Sequence, residues 1–295
     1  MARIPIALQL YSVRHECEKD LPRVIEAVAE MGYEGVEFAG YYGYSAKDLR
    51  RLLDDCGLQV AGAHVPLDSL LGDAFERTIE FHQALGNRFL IVPWMPEDRR
   101  ADRQGWLQCA RLFDELAEKV KPYGMRVGYH NHDFEFKPLD GELPWDIFFG
   151  STREDVVMQL DTGNALQGGG QPTAFLEKYP GRAVTVHLKE YSAADENALI
   201  GEGECRGRRC FASANAWAAP SGTSSSRRNT PMNRWNARGA AWKPSRPWAN
   251  ERRHSQFVSS SSRTLRGDWR EPIPFCVPAQ GRSGGPISLV ICPTK

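Results

Sequence analysis

The feature that most constrains this chain is a regular alternation across its first 200 residues. Seven short, nearly uninterrupted apolar runs lie at Ile4–Leu10, Gly35–Phe38, Gln59–His64, Phe89–Val92, Arg126–Tyr129, Val156–Leu160 and Ala183–Leu188. Between them, apolar residues recur at i, i+3 and i+4 over Leu21–Met31, Ala46–Asp55, Ala74–Leu85, Asp102–Lys121, a short stretch near Trp145–Phe149, and Thr173–Lys178. The helical stretches end in turn signals such as Met31-Gly32-Tyr33, Cys56-Gly57 and Tyr123-Gly124, where glycine suits a left-handed cap. Strands that are apolar on both faces belong to parallel sheets covered by helices. Repeated βα units with right-handed crossovers build either an open doubly wound sheet or a closed barrel. No G-x-G-x-x-G follows the first strand, which argues against a dinucleotide fold.

The polar residues decide for the barrel, because a βα barrel assembles its site at the C-terminal ends of its strands. Those positions read Gln9 and Tyr11, Glu37, His64, Trp94, His130 with His132, Asp161 with Asn164, and His187 with Lys189. Each has a plainer reading as well. His64 could hold a loop, Asp161 could form an ordinary turn in Leu-Asp-Thr-Gly-Asn, and Trp94 suits an aromatic wall. Cys17, Cys56 and Cys109 fall in helical patterns as packing residues, and Gly168-Gly169-Gly170 reads as a flexible loop. The joint pattern, nearly every strand ending in a group that can ligate, titrate or hydrogen-bond, is what favours an active site.

His, Asp and His from three successive strands make a mixed nitrogen and oxygen site for a divalent cation such as Mn²⁺, Mg²⁺, Co²⁺ or Zn²⁺. A carbonyl and its neighbouring hydroxyl on a small sugar or polyol can chelate such an ion, which then favours an enediolate, while a nearby side chain moves the proton.

Five segments carry a family resemblance that covers about residues 4–204. They are Ala-Leu-Gln-Leu-Tyr-Ser-Val-Arg at 7–14, Gly-Val-Glu-Phe at 35–38, Tyr-His-Asn-His-Asp-Phe-Glu-Phe at 129–136, Leu-Asp-Thr-Gly-Asn at 160–164 and Val-His-Leu-Lys-Glu at 186–190. The chain resembles the xylose-isomerase-like TIM barrels, the sugar phosphate isomerases and epimerases. The resemblance implies a (β/α)8 barrel and a divalent metal held by residues from strands five, six, seven and eight. By position these are His130, Asp161, His187 and an absent fourth; many members carry Glu where this chain has His130, and Glu135 or His132 could substitute. Glu37, His64 and Lys189 are the expected catalytic residues. Gln9, Tyr11, Trp94, His132, Glu135 and Asn164 are expected to bind substrate. The implied reaction is isomerisation or epimerisation of a small keto-sugar or polyol through an enediolate. The alternatives are an inosose-type dehydratase on the same scaffold, or an inert product.

That last alternative arises from the C-terminal part. Residues 201–295 hold 16 Lys and Arg against 5 Asp and Glu. Since the whole chain balances at 37 and 37, the first 200 residues carry an equal acidic excess. After Gly-Glu-Gly-Glu at 201–204, periodicity gives way to Ser, Arg, Trp, Gly and Pro. Reading one base out of register from Glu204 yields a sequence compatible with helix, strand and helix. Tryptophan and methionine codons end in G, so Trp217, Trp235, Trp242, Trp248 and Met232 force the shifted residues, and these come out as Gly or Glu. The shifted strand contains VEQE, whose first Glu is encoded across Ser225 and Ser226.

Residues 1–204 are therefore expected to be strands one to seven of a barrel. Residues 205–295 are expected to be an out-of-frame, disordered tail that forms no eighth βα unit and leaves the barrel open. A tail of that origin removes the nucleic-acid reading that its basic, tryptophan-containing composition would otherwise invite. Seven cysteines without a C-x-x-C pair, no apolar run long enough for a membrane span and no leader-like start point to a cytoplasmic enzyme that acts on a small molecule, with a homo-oligomer as an open option.

Overall fold

The computed structural model describes residues 5–205 and 288–292. Within them, eight parallel strands close a barrel in chain order. They are β1 Ile6–Gln9, β2 Gly35–Phe38, β3 Gln59–His64, β4 Phe89–Val92, β5 Arg126–His130, β6 Val157–Asp161, β7 Thr185–Leu188 and β8 Ser288–Ile291. The outer helices are α1 Arg14–Glu30, α2 Ala46–Asp55, α3 Ala74–Leu85, α4 Arg103–Val120, α5 Pro144–Phe149, α6 Thr162–Gln167 and α7 Pro172–Lys178.

The strands alternate sides as period-two geometry requires. Outward residues such as Val36, Phe38, Leu90, Val127, Tyr129, Val186 and Leu188 join the helix stripes in one core, and Trp106, Phe113, Tyr129 and Phe148 pack edge-on within it. Inward residues form small clusters at the barrel floor, Ile91, Val157 and Val184 on one side and Ala7, Ala61 and Val290 on the other. Two local differences from the periodicity are instructive. Helix α1 begins well before Leu21: Asp20 breaks it with extended backbone and caps the second half by accepting from Arg23 N at 3.1 Å, so Pro22 sits where no helical N–H is needed. Helix α6 is a short turn started by Asp161, whose Oδ1 accepts from Asn164 N at 2.8 Å.

The eighth strand corrects the expectation that the tail contributes none. Val290 pairs with His187 of β7 and Ala7 of β1, Leu289 N donates to Pro5 O at 3.0 Å, and Cys292 N donates to Leu188 O at 3.0 Å. Leu289 and Ile291 face the outer core while Val290 and Cys292 face the interior. The open edges expected of a seven-stranded barrel are thereby paired. Residues 206–287, where the proposed shifted helix and VEQE strand would be encoded, lie outside the described residues. Cys17 and Cys109 are buried as expected; Cys56 is only half-buried.

The glycine triplet is a packing device rather than a slack loop. A Cβ on Gly168 would fall 2.2 Å from Asp133 O, and one on Gly170 2.8 Å from the Phe136 ring. Their bareness lets α6 press on the turn that follows β5.

Candidate active site

Two polar layers are stacked inside the C-terminal mouth of the barrel. The lower one is organised by Glu37, which is completely buried. Its Oε1 accepts from Gln9 Nε2 at 3.2 Å and from His187 Nε2 at 2.8 Å, and lies 3.0 Å from His64 Nε2. Its Oε2 accepts from Gln159 Nε2 at 2.8 Å. Gly62 makes room for this carboxylate, since a Cβ there would lie 3.2 Å from Oε2. Gln159 also donates to Thr185 Oγ1 at 3.0 Å, and its Oε1 lies 2.8 Å from His64 Nε2. Burial alone would raise the Glu37 pKa, but the attraction of His187 and His64 overrides it and holds the group well below the usual carboxylate range. The same carboxylate raises the pKa of His64 against its own desolvation.

The upper layer is less satisfied. His130 is 6% exposed, and its Nδ1 has no hydrogen-bond partner. Burial, helped by His187 and His64, keeps its imidazole neutral with a pKa well below the ordinary value. The rings of His64, His130 and His187 lie 4.6–5.4 Å apart between centroids. Because Glu37 accepts from Nε2 of His187, the Nδ1 lone pair is turned toward Asp161 Oδ2 at 3.9 Å and Cys292 Sγ at 3.2 Å. Burial raises the pKa of Asp161 and pushes that of the Cys292 thiol well up.

Around the rim, Lys189 Nζ donates to Asn164 Oδ1 at 2.8 Å, and Asn164 Nδ2 donates to Asn131 O at 3.0 Å. Asn131 accepts from Asp161 N at 2.8 Å, which ties the β5 and β6 loops together. Gly163 of Leu-Asp-Thr-Gly-Asn is needed for this approach, as a Cβ there would stand 2.8 Å from Glu190 O and 2.9 Å from Lys189 Cγ. His132, whose pKa burial lowers to about 4, meets the exposed Trp94 edge-on and stacks on Phe134. Tyr11 is exposed at the end of β1, with its N–H bonded to Gln9 Oε1 at 2.6 Å.

Of the expected site residues, Gln9, Glu37, His64, His130, Asp161, His187, Asn164 and Lys189 converge on the mouth; Trp94, Tyr11 and His132 ring it. Glu135 stands behind the wall. It is fully buried, accepts from Tyr129 Oη at 2.6 Å and from His132 N at 2.8 Å, and burial lifts its pKa to about 7. Four groups escaped the strand-end reading: Gln159, Thr185, Asn131 and Cys292. Gln159 and Thr185 each sit two residues before a strand-end residue, Asp161 and His187, and so share its inward face. That spacing was a signal in the sequence.

Among the described residues, two groups of side chains can each bring three ligand atoms within 4.8 Å of one another: His64, His130 and His187, and Asp161, His187 and Cys292. His187 belongs to both. The expected trio His130, Asp161 and His187 is not itself one of these groups: the orphaned buried nitrogen of His130 belongs to the first, and the Asp161 carboxylate stands with His187 and Cys292 in the second, each a donor set that fits a divalent ion.

A closed parallel βα barrel with polar and titratable side chains gathered at its C-terminal mouth is the architecture of a TIM-barrel enzyme. The profile of the xylose isomerase-like TIM barrel family matches residues 25–214, more than half of the chain. The chain belongs to that family. It is similar to the rhizopine catabolism protein MocC of Rhizobium meliloti, 26% identical over 58% of this chain and 57% of that protein. It is also similar to an inosose dehydratase of Clostridium botulinum, 25% identical over 59% of this chain and 64% of that protein. The chain therefore spans about three fifths of the length of these relatives. Among solved structures, a sugar phosphate isomerase/epimerase from Parabacteroides distasonis superposes with a TM-score of 0.63 at 25% identity, covering 72% of this chain and 86% of that one. No helix of the described residues is long and apolar enough to cross a membrane.

Proposed function

We propose that the barrel is a divalent-metal-dependent isomerase or epimerase of a small keto-sugar or polyol. The observation that carries this reading is the joint presence of an unpartnered, buried His130 Nδ1 and the Glu37-oriented His187 beside Asp161. His130, Asp161 and His187 would hold the ion, which supplies Lewis-acid polarisation of a carbonyl and its neighbouring hydroxyl when bound.

The remaining work falls to the chain's own side chains. Lys189, held by Asn164, and the partly exposed His64 stand at the mouth to move the α-proton. Glu37 has both oxygens occupied by donors, so it acts as the positioning residue that fixes the tautomers of His187 and His64. Trp94, Tyr11 and His132 bound the space above and exclude water; Gln9 and Asn164 offer hydrogen bonds.

A dehydratase is the second reading, favoured by curated relatives named inosose dehydratases at 25–27% identity. It begins with the same proton abstraction and then expels a β-hydroxyl. Incubation with candidate keto-sugars and inososes in deuterated water separates the two. An isomerase incorporates deuterium beside the carbonyl without mass loss, whereas a dehydratase releases water; neither outcome with any metal-loaded sample refutes both.

The out-of-frame reading of residues from 205 onward is a separate proposal about the gene: the family match, residues 25–214, takes in only the first ten of them, while in the chain as given Ser288–Ile291 supplies strand eight. Sequencing the gene across codons 200–210 tests it directly.

A further inference from the structure

We propose that Cys292, at the strand-eight position of this chain, is a metal ligand, and that with Asp161 and His187 it makes the centre selective for Zn²⁺ and Co²⁺ over Mg²⁺ and Mn²⁺. The inference rests on the metal reading above and deepens it, because it concerns which ions the site prefers.

The geometry fits coordination. Tetrahedral ligands at about 2.0–2.3 Å from Zn²⁺ stand roughly 3.3–3.6 Å from one another. Here Cys292 Sγ is 3.2 Å and Asp161 Oδ2 is 3.9 Å from His187 Nδ1, so small side-chain adjustments suffice. Position is fixed by backbone: Cys292 N bonds to Leu188 O, and Val290 pairs with His187, which aims Cys292 inward beside His187. Glu37 holds the Nε2 proton of His187, leaving Nδ1 to accept from the thiol in the metal-free protein or to bind an ion. Ligand atoms of Asp161, His187 and Cys292, all buried, lie within 4.8 Å of one another, and His130, more than nine-tenths buried with an unpartnered Nδ1, adjoins the shared histidine with ring centroids 4.6 Å apart.

On binding, the S–H bond breaks, a sulfur–metal bond forms, and the proton leaves to the buffer. Thiolate is a soft donor that suits Zn²⁺ and Co²⁺, whereas an all-oxygen and imidazole set suits Mn²⁺ and Mg²⁺ as well. No described carboxylate lies on β8 to offset this bias.

The test is titration of the full metal-free chain with Co²⁺, followed by near-ultraviolet absorption, with calorimetry of Zn²⁺ and Mn²⁺ alongside. One equivalent of Co²⁺ should give a thiolate-to-metal charge-transfer band in the wild-type chain. Cys292→Ser should remove the band and weaken Zn²⁺ binding by at least the ~10–100-fold that loss of an outer-shell partner costs, with little change for Mn²⁺. Cys205→Ser, which changes the neighbouring thiol on Thr162, should retain the band. Stoichiometric Co²⁺ binding without the band, or a band that survives Cys292→Ser, overturns the thiolate inference and leaves the metal site standing. Absence of any stoichiometric binding, or binding unaffected by His187→Ala, overturns the metal reading itself. The wild-type spectrum decides the matter even if Cys292→Ser fails to fold.

Discussion

The two polar layers of the mouth differ in one respect that explains most of the site. In the lower layer, Glu37 and Gln159 have their polar side-chain atoms bonded to Gln9, His64, His187 and Thr185. In the upper layer, His130 Nδ1 has no partner, Asp161 Oδ2 is 3.9 Å from its nearest imidazole nitrogen, and His132 Nδ1 is also orphaned. A buried polar group without a partner costs stability. The lower layer therefore stabilises and orients, whereas the upper layer carries unmet coordination capacity that a ligand would satisfy.

The largest expected effect comes from breaking the lower layer. Glu37→Ala leaves two histidines and two amides without their common acceptor and should destabilise the fold by about 3–5 kcal/mol, read as a loss of denaturation midpoint. Glu37→Gln keeps the volume. It should fold, yet let the His187 tautomer change and weaken divalent-ion affinity about 10–100-fold. Little destabilisation by Glu37→Ala would erase the distinction between the layers.

Upper-layer changes should do the reverse. Asp161→Ala and His187→Ala should abolish metal binding. His130→Ala should cost metal-free stability only through the cavity it leaves, and so less than Glu37→Ala, because no hydrogen bond to its Nδ1 is lost. Thermal melts with and without chelator measure both quantities.

A titration sharpens the comparison from behind the wall. Burial raises Glu135 from 4.5 to about 7, so the folded state binds its proton more tightly than the unfolded chain. That contribution is fully present below about pH 4.5 and is lost as pH rises to 7, a difference of about 3 kcal/mol at ~1.4 kcal/mol per unit. Neutral buried His130 and His132 oppose it, since their depressed pKa values favour folding above the unfolded histidine value and lose that stability as pH falls. Urea unfolding of Glu135→Gln against wild type across this range isolates the carboxyl: the variant should gain relative stability toward pH 7. The smallest effect belongs to the rim. Trp94 is 45% exposed, so Trp94→Ala should change stability by less than about 0.5 kcal/mol while raising KM for the substrate of the proposed reaction.

Much of this was legible in the chain. Strands covered on both faces announce themselves as apolar runs, and the polar residues that end them converge because a parallel barrel sends every strand's C-terminus to one mouth. What escaped did so for physical reasons. Glu37 reads like any other strand-end acid until the 2.8 Å bond to His187, from a residue 150 positions away, shows that it supports the histidines from below. Gln159 and Thr185 were hidden by the attention that strand ends draw. The segment Ser288–Ile291 is a short apolar run of the kind expected for a strand buried on both faces, but it follows a long stretch whose composition masks it. Cys292 could be valued only once β8 was seated beside His187.

The central claim, that the upper layer is a divalent-metal site, is tested most directly by elemental analysis. The full chain would be stripped with chelator, reloaded with Zn²⁺ and dialysed, beside Asp161→Ala and His187→Ala samples shown by circular dichroism to be folded. The account predicts one ion per wild-type chain and none in either variant. A wild-type chain that retains no ion, or variants that retain as much as wild type, would contradict it.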